Sequence, residues 1–310
     1  MLSVRGRDFL TTQEYDVNEL QLFLKTAEQL KRALLAGRKR ELLRDKVLAM
    51  IFQKPSTRTR ASFEVAMKQL GGHALYLSWN ELQLGRGETI GDTARVLSRY
   101  AHGIMARVFA HSDIEEIAKH ASVPVINGLS DLHHPCQGLS DLLTIREHKG
   151  DFKGLKLAWV GDGNNVCNSL LIGCSKFGMD MSAACPKGYE PSKTVLGWAK
   201  QNAEKSGSTI KITTEPKEAV KNADIIYTDT FISMGTEDER KKRLKVFLPK
   251  YQVTPKLFKY AKKDAVFMHC LPAHRGEEVV AEVIDGPQSI VWDQAENRLH
   301  LQKALLALLL

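Results

Sequence analysis

Phe52-Gln-Lys-Pro-Ser-Thr-Arg-Thr-Arg-Ala-Ser-Phe-Glu64 is a hinge between two periodicities. The apolar run Val47–Phe52 leads into it and predicts a short buried strand. Pro55 stands where a loop turns, and Ser56 or Thr57 can cap a helix continuing through Phe63, Val65 and Met67. Strand, loop and helix start then gather unpaired backbone N–H groups, the hydroxyls of Thr57 and Thr59, and Arg58 about one point. Helix dipole and guanidinium fork both favour an anion there, and a helix N-terminus holding phosphate is a common arrangement. The plainer alternative is a capped helix with a solvated basic first turn. However, positive charge opposes the dipole at a helix N-terminus, so Arg58 and Arg60 call for a negative partner. The Gly-x4-Gly-Lys-Ser/Thr spacing of a Walker loop is absent.

Outward from this stretch, strands and helices alternate. Toward the N-terminus, Asp16 caps a helical pattern through Leu20, Phe23, Leu24, Ala27 and Leu30 that closes near Gly37. Toward the C-terminus come a strand at His73–Ser78, a polar loop at Trp79–Glu88 and a helix near Thr89–Ala101. Strands at Ile104–Phe109 and Val123–Asn127 flank a helix at Ser112–His120, and a helix after Pro135 runs to Gly150. A second unit opens with strand Leu155–Val160 and Gly161-Asp-Gly-Asn-Asn-Val166, which resembles a Rossmann first turn but lacks the third glycine and a ribose-binding acid. A sheet without a bound dinucleotide is expected, continued by strands at Met179–Cys185, Thr209–Thr213, Asp224–Asp229 and Ala265–His269. The charged stretch Thr236–Lys250 reads as a loop long enough to be a lid, and Ile290–Trp292 as a last short strand. The predicted fold is α/β with two domains, each a mostly parallel sheet flanked by helices. Their expected extents are 1–148 and 149–294, with a C-terminal helix, 295–310, packing back on the first.

Composition narrows the classes of function. The 310 residues can bury a large core, and 43% hydrophobic with 26% charged residues is usual for a soluble globular protein. The net charge of +8 is spread along the chain and broken by acids, unlike the basic stripe of a nucleic-acid binder. Cys136, Cys167, Cys174, Cys185 and Cys270 are odd in number and form no Cys-x-x-Cys pair. They point to a reducing, cytoplasmic setting rather than to disulfides or a zinc ribbon. No apolar run is long enough for a membrane span, and the N-terminus shows no signal-peptide pattern. His134 and His269 lack metal-site spacing, so no metal or other cofactor is expected.

Polar clusters follow the apolar strands: Ser56–Thr59, Arg107, His134–Gln137, Asn164-Asn165, Asp229–Met234 and His269–Leu271. In a doubly wound sheet such positions gather at the carboxyl edge, where ligands bind. Seven motifs then carry a resemblance. They are Ser-Thr-Arg-Thr-Arg (56–60), Asp-Thr-Ala-Arg-Val-Leu (92–97), His-Pro-Cys-Gln (134–137) and Gly-Asp-Gly-Asn-Asn-Val (161–166), with Asp-x3-Ser-Met-Gly (229–235), His-Cys-Leu-Pro (269–272) and Ala-Glu-Asn-Arg (295–298). Along essentially its full length the chain resembles the aspartate/ornithine carbamoyltransferase family, and within it the members that use ornithine. The last four motifs separate these from the aspartate-using members.

The resemblance implies transfer of the carbamoyl group of carbamoyl phosphate to the side-chain amine of L-ornithine, giving L-citrulline and phosphate. Ser56, Thr57, Arg58 and Thr59 would hold the phosphate. Arg107 and His134 would polarise the carbamoyl oxygen, and Gln137 would hold the carbamoyl nitrogen. Gln83 from a neighbouring subunit, Cys270, Leu271 and Arg298 would complete that pocket, which implies a homotrimer or an assembly of trimers. Asp229 and Ser233 would take the ornithine α-ammonium, Asn165 and Met234 its α-carboxylate, and Asp229 with Cys270 would position and deprotonate the attacking amine. A carbamoyltransferase for another amine, a non-catalytic ligand-binding relative and a basic nucleic-acid binder are the competing readings.

Overall fold

In the computed structural model, which describes residues 4–232, 235 and 237–310, the chain divides into two compact units. Unit 1 is Met1–Leu143 with Asn297–Leu310, and unit 2 is Thr144–Glu296. In chain order the elements are α1 (Val17–Leu35), β1 (Val47–Phe52), α2 (Thr57–Gln69), β2 (His73–Ser78), α3 (Ile90–Tyr100), β3 (Gly103–Arg107), α4 (His111–His120), β4 (Val125–Leu129) and α5 (Pro135–Lys149). They continue as β5 (Lys156–Val160), α6 (Asn165–Phe177), β6 (Asp180–Ala184), α7 (Lys193–Ser206), β7 (Ile210–Thr213), α8 (Pro216–Val220) and β8 (Ile225–Tyr227). The last are α9 (Arg240–Phe247), α10 (Pro255–Phe258), β9 (Val266–Met268), α11 (Ala281–Ile284) and α12 (Val291–Leu309).

Unit 1 has a parallel sheet in the order β2-β1-β3-β4. Leu48–Phe52 of β1 are all buried, as expected for a central strand covered on both faces. Leu48, Met50, Ile51 and Phe52 each contribute roughly 1.5–3 kcal/mol by leaving water, and Ala49 less. α1 begins with a capping box between Asp16 and Glu19, and it buries Leu20, Phe23, Leu24, Ala27 and Leu30 at helical spacing. Asn297–Leu310, most of α12 and the last residue, belong to this unit, where the Leu309 carbonyl accepts the Gly6 N–H at 2.9 Å and Leu301, Ala304, Leu305 and Leu306 are buried.

Unit 2 has a parallel sheet in the order β7-β6-β5-β8-β9. In each sheet the first strand in sequence is followed by a neighbour on one side and later strands on the other. The order therefore reverses between β1 and β3, and again between β5 and β8, which creates a crevice at the carboxyl ends of those pairs.

Several expectations need correction. Residues 237–250 are not simply a charged loop: a short 3-10 turn at Glu237–Glu239 runs into α9. Arg243 is buried there, donating to the Phe231 carbonyl at 2.5 Å and pairing with Asp162, while Phe247 stacks on Phe231. Tertiary partners for one charge and one ring stabilise a helix that the charge pattern concealed. Residues 290–292 are not a strand; α12 starts at Val291, and the extended pairing just before it is a single Phe267–Ser289 bridge. Three apolar residues carry too little periodicity to separate the two cases. β3 stops at Arg107 rather than Phe109, and β4 runs to Leu129 rather than Asn127. Among the described residues no helix is long and apolar enough to cross a membrane.

Candidate functional site

Unit 1 carries its polar cluster at the reversal between β1 and β3. The loop after β1 delivers Ser56 as the N-cap of α2, its hydroxyl oxygen accepting the Thr59 N–H at 3.4 Å. The same hydroxyl donates to Thr59 Oγ1 at 3.1 Å. Thr59 Oγ1 also accepts from Arg298 Nη2 at 2.7 Å and from Arg107 Nη1 at 3.4 Å. Arg107 is the last residue of β3, and Arg298 comes from α12, so one threonine oxygen ties three distant pieces of chain. Arg298 Nη1 donates to Gln137 Oε1 at 3.3 Å, and Gln137 Nε2 donates to Asp141 Oδ1 at 2.8 Å. Thr59, His134, Gln137 and Arg298 are buried, Arg58 and Ser56 half-buried, and Thr57 exposed.

The electrostatics of this cluster are one-sided. Burial, then the Arg298, Arg107 and Arg58 guanidiniums, hold the His134 pKa well below its ordinary value. His134 is therefore a neutral imidazole among cations, suited to donate a hydrogen bond to a developing oxyanion without carrying charge itself. Cys136, two residues further on, has its thiol pushed up to about 12 by burial and bonds the Asn127 carbonyl, which fits packing and not nucleophilic chemistry. Gln83 lies exposed in a 3-10 turn, Gln83–Arg86, away from this hydrogen-bond network.

Unit 2 places its cluster at the reversal between β5 and β8. Asp229, two residues beyond β8, is only 7% exposed. Its Oδ2 accepts from Asn164 Nδ2 at 2.7 Å, and its Oδ1 accepts from the Thr230 N–H at 2.8 Å and from Cys270 Sγ at 3.1 Å. Asn164 also caps α6, its Oδ1 accepting the N–H groups of Val166 and Cys167 at 3.0 and 3.1 Å. Asn164, not its neighbour Asn165, is thus the asparagine that touches Asp229. Asn165 is the first residue of α6 and half-buried. Ser233 and Met234, which the sequence reading assigned to the amino-acid substrate, lie outside the described residues.

The segment after β9 is held from behind. His269 is fully buried; its N–H donates to Gln294 Oε1 at 2.9 Å, and its Nδ1 accepts the Leu271 N–H at 2.9 Å. The ring proton therefore sits on Nε2, which faces buried Glu278 Oε1 at 3.3 Å. This brace accompanies a left-handed Leu271, at φ 61°, a conformation that costs a leucine on the order of 1–3 kcal/mol. Nothing in the local sequence marks either pattern, because His269 and Glu278 meet only through the fold. Asp229, His269 and Cys270 come close enough to suggest a metal. Yet Cys270 donates to Asp229, while His269 Nδ1 accepts the Leu271 N–H and its Nε2 faces Glu278, so these atoms are directed at protein partners. His274, Glu277 and Glu278 form a second such group, and there Glu278 Oε1 accepts the His274 N–H at 2.5 Å.

The glycines after β5 also have a structural explanation. A Cβ on Gly163 would lie 2.2 Å from the Pro191 nitrogen, and the Gly163 N–H donates to the Tyr189 carbonyl. Gly163 is thus required for a backbone crossing inside unit 2.

Residues 7–147 match the family model described as aspartate/ornithine carbamoyltransferase, carbamoyl-P binding domain. Residues 153–309 match the one described as aspartate/ornithine carbamoyltransferase, Asp/Orn binding domain. The ornithine carbamoyltransferase of Pyrococcus horikoshii is 60% identical over 310 residues, covering 100% of this chain and 98% of that protein. The anabolic ornithine carbamoyltransferase of Pyrococcus furiosus is 58% identical, with the same coverage. A solved structure of ornithine carbamoyltransferase from Pyrococcus furiosus superposes with a TM-score of 0.97 at 58% identity, covering 100% of this chain and 98% of that one. Matched in both halves and in order, the chain belongs to the aspartate/ornithine carbamoyltransferase family.

Proposed function

We propose that the chain transfers the carbamoyl group of carbamoyl phosphate to the side-chain amine of L-ornithine, giving L-citrulline and phosphate. The observation that carries this reading is the buried neutral His134 among Arg58, Arg107 and Arg298, beside the N-terminus of α2. Such a cluster suits a ligand that is both strongly anionic and able to develop an oxyanion, and carbamoyl phosphate is both. The names of the relatives support ornithine as the acceptor.

In this reading unit 1 is the carbamoyl phosphate-binding unit. Ser56, Thr57, Arg58 and Thr59 hold the phosphate at the α2 N-terminus, where dipole and guanidinium act together. Arg107 and His134 donate to the carbamoyl oxygen as it gains charge, and Gln137 and Arg298 hold the carbamoyl end in register. Unit 2 binds ornithine. Asp229 takes the α-ammonium with Ser233, and Asn165 and Met234 take the α-carboxylate. Asp229, held by Asn164 and Cys270, positions the attacking amine, which must be neutral to use its lone pair. The C–N bond to ornithine forms as the carbonyl becomes tetrahedral. Its collapse breaks the bond to phosphate, which departs with the electron pair, and the amine proton passes to Asp229 beside Cys270. Positioning and fixed dipoles carry the catalysis, with no cofactor. A homotrimer in which Gln83 serves a neighbouring subunit, and a cytoplasmic location in keeping with five free thiols, belong to the same reading.

The test is citrulline formation from carbamoyl phosphate with ornithine, run beside aspartate and putrescine. Product from ornithine alone is expected. Product only from another amine would discard the ornithine assignment, and no product from any would discard catalysis. Sedimentation of the purified protein at the mass of one chain would discard the trimer.

A further inference from the structure

The chain leading into β1 and the link from α2 to β2 line a cavity of about 650 Å3 in unit 1 that the proposed reaction does not use. A cavity of this size is in the range that holds small organic ligands. Six basic side chains line it, among them Arg38, Arg40, Lys68 and Lys303, against two acidic ones. One of the acids, Glu41, is already paired with Arg44 at 3.4 Å. Exposed cations alone would say little. Two withdrawn polar groups say more.

Lys303 is 3% exposed, lines the cavity, and has no hydrogen bond or ion pair among the described residues. Burial lowers the pKa of its ammonium, as expected for a charge without a counter-ion. Gln69 Oε1, also on the cavity wall, is buried and accepts no hydrogen bond among the described residues. Buried polar groups are ordinarily satisfied, so the unpartnered Gln69 acceptor, with an unpaired lysine ammonium on the same cavity, points to a missing ligand. Leu30, Leu34 and Leu70 supply an apolar wall.

We propose that this cavity binds a small organic polyanion that also carries a hydroxyl or amino donor, its charge facing Lys303 and its donor facing Gln69. Phosphorylated and polycarboxylate molecules share that chemistry. The site is separate from the anion cluster: Ser56 stands at the first end of α2 and Lys68 and Gln69 at the last, so the thirteen-residue helix sets them about 20 Å apart.

Calorimetric titration of the full chain with citrate, ATP and inorganic pyrophosphate, each alone, tests this. Wild type, Lys303→Met and Arg58→Gly are compared. Saturable binding of at least one probe is expected, retained in Arg58→Gly and weakened at least tenfold in Lys303→Met. Lys303→Met should stay folded by circular dichroism and form citrulline with wild-type kcat and KM. Citrate binding would identify the polycarboxylate form, and ATP or pyrophosphate binding the phosphorylated form. Gln69→Leu should weaken citrate or ATP more than pyrophosphate; unchanged affinity for both would overturn the donor half. No saturable binding, equal affinity in Lys303→Met, or binding lost only in Arg58→Gly would each overturn the site.

Discussion

At the end of β1 three guanidiniums surround a buried neutral imidazole, while at the end of β8 a single carboxylate is surrounded by neutral donors. Both clusters occupy the same place in their sheets, the point where strand order reverses. The backbone device is shared, and the sign of the charge differs. In unit 1 like charges crowd together and repel until an anion enters, so the arrangement stores a preference for one class of ligand. In unit 2 Asp229 already accepts from Asn164, Thr230 and Cys270. A substrate ammonium there must displace or supplement existing bonds. The contrast teaches that an α/β crevice is chemically neutral: the residues delivered to it decide whether it takes an anion or a cation.

The sharpest way to break the contrast is Arg58→Gly. Removing one charge-assisted pair to a phosphate costs about 3 kcal/mol, a factor of roughly 10² in carbamoyl phosphate affinity, and more in turnover. The fold should survive, because Arg58 is only half-buried; wild-type turnover would remove the anion role of the cluster. Next comes Asp229→Asn, which keeps the shape and loses the charge. A fall in kcat/KM for ornithine on the order of tenfold to 10² is expected, with carbamoyl phosphate binding intact. An unchanged ornithine profile would end the argument that unit 2 uses its carboxylate.

Thr59→Val sharpens the comparison by testing what organises the arginines. Its oxygen accepts from Ser56, Arg107 and Arg298, so its loss should cost about 1–3 kcal/mol of stability in urea unfolding. A variant as stable as wild type would mean the arginines are held by other means.

The smallest effect concerns pH. Burial and then the His111 charge bring the pKa of His133, in unit 1, down to about 3, and His134 is likewise lowered. Below the ordinary histidine pKa near 6.5 the unfolded chain binds protons that the folded chain refuses. The stability these groups contribute is therefore full above about 6.5 and is lost as pH falls, by roughly 1.4 kcal/mol per pH unit for each group. His133→Phe should make the slope between pH 6.5 and 5 shallower by about that amount; an unchanged slope would show that carboxylates dominate it.

Much of this was legible in the sequence, for local reasons. β1 ran from Val47 to Phe52 as the apolar run indicated, and Ser56 capped α2 as its hydroxyl allowed. The residues at strand ends were recognisable as polar breaks after apolar runs. Asn164 and Asn165 show where that resolution ends. Both stand at the start of α6, and only the N-cap geometry turns Asn164 toward Asp229. α9 was hidden because its stabilising partners, Asp162 and the Phe231 carbonyl, lie elsewhere in the chain.

By itself the sequence determined the alternation of strand and helix, the two-sheet architecture and the family, because burial periodicity, capping and motif order are properties of neighbouring residues. The tertiary structure decided which polar groups meet. Arg298 reaches Thr59 across 239 positions, and Leu271 is held left-handed against His269 and Glu278. It also decided the charge state of His134, since a pKa depends on water excluded and charges gathered from distant parts of the chain, and neither is written in any local stretch.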